Sequence, residues 1–233
     1  MIGSMFDPET SFSALFWHQL TRLGEAQLLL PALLTAAIWL ARRPGGGRLA
    51  GTWLAATVGA ALLTTATKVA FIGYGIGYAP LNFTGISGHA MFAAAVLPPL
   101  VLLAGGAWVA DRRATLLTGA YGLAAAVAVS RVMVGAHSWS EVIAGYALGA
   151  LCSGIALATA RVPAARLARW VPAALLAWGA VGVAAAPPSQ THDLVTRLAL
   201  AQSGRDKPYQ RWEMLREHRL ASRQSAGGSL QPR

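Results

Sequence analysis

Five ionisable residues stand out in a largely apolar chain: Lys68, His89, Arg131, His137 and Glu141. Ser87-Gly88-His89 places a hydroxyl, an unencumbered backbone amide and an imidazole in consecutive positions. Ser130-Arg131 is followed after five residues by His137, and after three more by Glu141. Two cations, two imidazoles and a single carboxylate favour an anion. Lysine and arginine donors, with backbone amides at the start of a helix, complement the oxygens of phosphate. The remaining groups suit phosphoryl chemistry: a neutral imidazole can attack phosphorus, a carboxylate can fix its tautomer, and a second imidazole can protonate the leaving oxygen.

These residues are far apart along the chain, so the elements that carry them decide whether they meet. Of the 233 residues 55% are hydrophobic and 12% charged, with mean hydropathy +0.48; soluble domains carry about 25% charged residues. The chain is therefore expected in a membrane. Six apolar runs follow one another, Leu23–Ala41, Leu49–Gly75, Ala90–Ala110, Ala114–Ala136, Val142–Ala160 and Trp170–Pro187. Each is near the roughly 20 residues that cross a hydrocarbon core. Lipid offers backbone groups no partner, so the expected fold class is all-α, a polytopic bundle of about six transmembrane helices. Short polar or Gly/Pro connectors make neighbours antiparallel. The expected organisation is an N-terminal interfacial segment over 1–22, where Phe12, Phe16, Leu20 and Leu23 recur at helical spacing, then a membrane domain over 23–188 and a polar, basic tail over 189–233. The tail is expected to be helical at Leu194–Ala201 and otherwise poorly ordered. Gly145 and Gly149, with Gly154, permit close helix packing in the fifth run. Trp53, Tyr74, Tyr78 and Trp139 read as interfacial belt residues.

Basic residues set the orientation. Arg42, Arg43 and Arg48, then Arg112 and Arg113, then Arg161, Arg166 and Arg169 occupy the first, third and fifth connectors, which are expected to face the cytoplasm. By parity Lys68, His89, Arg131, His137 and Glu141, drawn from four spans, reach the opposite face together. Ionisable groups at membrane depth are costly enough to be functional by default. A net charge of +10 and a pI near 11.0 could suit nucleic acid, but the basic residues lie between apolar runs, so cytoplasmic loops on an anionic membrane are expected instead. The single cysteine, Cys152, excludes a disulfide or a thiolate zinc site within one chain. His18, His192 and His218 fit no ligand pattern, and neither metal nor cofactor is expected. Asp7, Glu9 and His18 interrupt the first twenty residues, so no cleavable leader is expected there.

The run Ser130-Arg131-x5-His137-x3-Glu141 resembles the third signature of the type 2 phosphatidic acid phosphatase (PAP2) superfamily, Ser-Arg-x5-His-x3-Asp, and Ser87-Gly88-His89 resembles its second, Pro-Ser-Gly-His. The resemblance spans about Lys68 to Gly154. It implies a PAP2/haloperoxidase-like core and a phosphatase in which His137 is the nucleophile, His89 the general acid and Glu141 the orienting carboxylate. It also implies that Arg131, Ser87, the Gly88 amide and Lys68 bind phosphate. The implied substrate is a membrane lipid phosphate, met on the outer face of a bacterial inner membrane; hydropathy excludes a soluble haloperoxidase relative. Four positions depart from the pattern. The first signature, Lys-x6-Arg-Pro, would put arginine and proline where Gly75 and Ile76 stand; Ile86 replaces the proline before Ser87, and Glu141 replaces aspartate. The alternatives are a non-catalytic relative that binds a phosphorylated lipid, and a transporter using the cluster as an anion pathway. Against the transporter, the cluster lies at one end of the spans and no repeated half with broken helices is evident.

Overall fold

A computed structural model describes residues 8–105, 109–159, 177–181 and 191–228. The described residues are all-helical: α1 (Pro8–Arg22), α2 (Ala26–Ala41), α3 (Gly46–Tyr74), a 3-10 turn (Ala79–Leu81), α4 (Gly88–Gly105), α5 (Val109–Met133), α6 (Trp139–Thr159), α7 (Thr191–Ser203) and α8 (Arg211–Gly228). Five stretches among them are long and apolar enough to cross a membrane: Phe12–Ala41, Gly46–Tyr74, Gly88–Gly105, Arg112–Met133 and Trp139–Thr159. Each overlaps one of the first five expected runs. The sixth, Trp170–Pro187, lies largely outside the described residues, although 177–181 are helical. Arg112 and Arg113, expected in a connector, stand within α5, whose backbone breaks from helix at Arg112 (φ −127°, ψ 16°).

The chain forms two compact units, Met1–Leu62 with Ser87–Ser189, and Leu63–Ile86 with Gln190–Arg233. In the first, α4 is central: Ala90, Ala93, Ala94, Ala95 and Val96 are wholly buried, and α2, α5 and α6 pack around it. Gly145 and Gly149 make the α4–α6 approach possible. A Cβ at Gly145 would stand 2.4 Å from the Ser87 carbonyl oxygen, and one at Gly149 would stand 2.2 Å from that of Met91. Gly154 faces open space, so the expected small-residue stripe ends at Gly149.

Pro98 and Pro99 lie inside α4. Having no N–H, they strip the carbonyls of Ala94 and Ala95 of their helical donors. Neighbouring helices supply replacements: the Ser153 hydroxyl donates to Ala94 O at 2.8 Å, and the Trp53 indole donates to Ala95 O at 2.8 Å. Trp53 is thus corrected from belt residue to core. It is fully buried among Leu33, Leu40, Leu49 and Val96, because away from water a proline-freed carbonyl demands a donor from the protein. Tyr74, Tyr78 and Trp139 are more than half exposed.

In the second unit the last turns of α3 carry Val69, Phe71 and Ile72, which bury Val195 and Ala199 of α7 and Met214 of α8. The tail is therefore not a single short helix in a disordered segment. Its polar composition conceals an apolar stripe wide enough to fold two helices against α3. Gly75 ends α3 at φ +70°, its N–H donating to Phe71 O at 2.9 Å while that of Ile76 donates to Ala70 O at 3.1 Å. Arg211 then binds the following loop, with one Nη donating to Asn82 O (2.9 Å) and Oδ1 (3.0 Å) and the other to Thr84 Oγ1 (3.1 Å).

Candidate active site

The junction of α5 and α6 is built by local hydrogen bonds. The Arg131 carbonyl accepts from the N–H groups of Ala136 (3.0 Å) and His137 (3.1 Å), which closes the five-residue loop and fixes His137 beside the end of α5. Ser138 stands immediately before α6, and Glu141 is the third helical residue. One Glu141 oxygen, Oε2, accepts from the Ser138 backbone N–H at 3.0 Å, the back-bond of a capping box. The same oxygen lies 2.7 Å from His137 Nδ1. Glu141 is wholly buried, and the His137 side chain is 12% exposed. A carboxylate so placed favours a proton on Nδ1 and leaves the Nε2 lone pair as the nucleophilic or basic edge of the ring.

Across the α4–α6 contact, the Ser87 N–H donates to the Glu141 carbonyl at 3.1 Å. Ser87, Gly88 and His89 thereby begin α4 against the same turn of α6 that carries Glu141. The Ser87 hydroxyl stands just before α4, where a side chain can cap a helix, but it caps nothing: its Oγ is buried without a hydrogen-bond partner. His89 and Gly88 are partly exposed. The elbow between α1 and α2 presses on His89, since a Cβ at Gly24 would stand 3.0 Å from His89 Cβ and 2.7 Å from Val127 Cγ1.

Arg131 completes the group. One Nη donates to the Thr21 hydroxyl at 2.8 Å, whereas Nε is buried with no partner. Thr21 is 7% exposed, and Glu25, 8% exposed, lies within electrostatic reach of the guanidinium. The sequence reading missed both residues. Thr21 sits in a segment whose apolar spacing suggested only a surface helix, and nothing local marks it as the partner of a residue 110 positions on. Six of the seven expected residues, Ser87, Gly88, His89, Arg131, His137 and Glu141, belong to the first unit. Lys68 belongs to the second, where its side chain lies along Gly85, 3.1 Å from where a Cβ would stand.

The first unit thus holds two buried polar atoms without hydrogen-bond partners, Arg131 Nε and Ser87 Oγ, and an imidazole, His137, held by a buried carboxylate. The chain belongs to the PAP2 superfamily, a group that includes phosphatases: the family model matches residues 10–163. It is also 34% identical over 211 residues, 85% of this chain and 97% of the relative, to an uncharacterized 22.5 kDa protein in the cps region of Klebsiella pneumoniae. No solved structure matches it. Gly75 stands where the resemblance to the first signature would put an arginine. The position is a left-handed helix end, and a Cβ there would lie 3.3 Å from the Tyr209 ring.

Proposed function

We propose that the protein hydrolyses a phosphomonoester or pyrophosphate of a membrane lipid through a phosphohistidine intermediate. The carrying observation is the 2.7 Å contact between His137 Nδ1 and the buried carboxylate of Glu141, which directs Nε2 to act as nucleophile. Arg131 Nε and Ser87 Oγ, both buried without partners, support phosphate binding, because a buried polar group without a partner costs about 1–3 kcal/mol and an oxyanion satisfies it. The Gly88 amide at the start of α4 adds a donor of the kind that binds phosphate.

In the forward half-reaction, His137 Nε2 forms a bond to phosphorus as the bond to the lipid oxygen breaks, and His89 gives that oxygen a proton. Water then attacks the phosphohistidine, His89 removes its proton, and inorganic phosphate leaves with His137 restored. The bundle suits a substrate whose acyl or prenyl chain stays in lipid while its phosphate enters between helices. The basic connectors support a site facing away from the cytoplasm, at a bacterial inner membrane. A second reading, a lipid-phosphate binder without turnover, is favoured by the glycine at position 75 in place of the family arginine.

The test is phosphate release by the detergent-purified protein from a panel of lipid phosphates. Activity is expected to fall at least about 100-fold in His137→Ala. A His137→Ala variant as active as the parent rejects the mechanism, and binding without any release selects the second reading.

A further inference from the structure

The geometry points to Thr21 as a positioning residue: from the end of α1 its hydroxyl holds one Nη of Arg131 and so presents the Nε edge of the guanidinium to a bound phosphate. This rests on the phosphate-site reading above. A guanidinium is planar, and its Nε–H lies beside one Nη–H to form an edge that fits two oxygens of a phosphate. In Arg131 it is the other terminal nitrogen, Nη1, that meets Thr21 Oγ1, at 2.8 Å. The tether therefore leaves the two-pronged edge to the ligand, and on that edge Nε is the buried donor without a partner.

The surroundings hold the tether in place. Leu20 and Leu23 flank Thr21 and pack against Ala93, Ala124 and Val127, while Gly24 brings the elbow into contact with α4 and α5 at His89 and Val127. Glu25 balances the buried cation from one side and is itself held by Gln27 Nε2 at 2.5 Å and Arg22 Nε at 3.8 Å. A long cationic side chain fixed before the ligand arrives loses less freedom on binding. The N-terminal helix thus becomes part of the anion site, although none of the sequence signatures reaches it.

The experiment measures inorganic phosphate binding by titration calorimetry on the full chain in detergent. Thr21→Val keeps the shape and removes the acceptor, and should weaken phosphate binding about tenfold. Thr21→Ser, which restores the hydroxyl, should remain within about threefold of the parent. Thr21→Ala gives the same reading if the valine variant fails to fold. Three results each overturn the proposal: parental affinity in the variants that lack the hydroxyl, equal weakening by serine and valine, or no phosphate binding by the parent protein. Phosphate affinity that depends on Thr21, without release of phosphate from any lipid, would instead remove the phosphatase reading and leave the positioning role intact.

Discussion

One carboxylate oxygen of Glu141 serves both the N–H that opens α6 and the ring of His137, the proposed nucleophile. The two duties can be separated. Glu141→Gln retains an oxygen for the Ser138 N–H, and glutamine is as good a capping-box partner as glutamate, but it removes the charge that stabilises a cationic imidazole. We expect kcat to fall by about 10²- to 10⁴-fold, with the melting temperature in detergent nearly unchanged. A large loss of stability with little loss of kcat would show that the carboxylate is mainly structural. Ser87 illustrates a different point: its hydroxyl stands where it could cap α4, yet Oγ has no partner, so the cap is not made and the hydroxyl is left for a ligand.

At the level of elements, α4 depends on its neighbours. Its two prolines free two carbonyls, each answered from a different helix. Removing one donor, in Trp53→Phe or Ser153→Ala, leaves a buried carbonyl unsatisfied, and each change should lower stability by about 1–3 kcal/mol in reversible unfolding. The Trp53 prediction also includes some loss of packing. The end of α3 offers a sharper case. Gly75→Arg restores the family residue but places a side chain at φ +70° against Tyr209. The left-handed backbone alone costs about 1–2 kcal/mol. We therefore expect Gly75→Arg to be less stable and no more active than the parent; a gain in phosphate release would mean that the helix end can adapt and that arginine belongs there.

For the whole molecule, alternating spans make a prediction about sides. Gly47 opens α3 beside the basic α2–α3 connection, with nothing within 4 Å of a Cβ added there, and Met133, 53% exposed, ends α5. A membrane-impermeant thiol reagent applied to intact cells should label Met133→Cys and spare Gly47→Cys. The native Cys152 is buried, its thiol donating to Ala56 O at 3.3 Å, and should stay unlabelled. The reverse pattern would place the histidines on the cytoplasmic side and invert the orientation read from the arginines. At the same scale the tail carries more structure than its composition suggests. Val195, Ala199 and Met214 supply three apolar contacts and Arg211 three hydrogen bonds, enough to fold a segment that averages polar.

What the sequence settled by itself was whatever depends on near neighbours. Apolar runs of span length give helices because lipid leaves backbone groups no other partner. Likewise, the offsets between Arg131, His137 and Glu141 fall within one loop and one helical turn, so their mutual geometry follows almost directly from their spacing. The tertiary structure decided what depends on residues remote in the chain: that Thr21 holds Arg131, that Trp53 and Ser153 answer the prolines of α4, and that the tail folds on the end of α3. A polar residue with a buried partner 110 positions away carries no periodic mark. Its role is created only when close packing removes water and leaves it one group to bond.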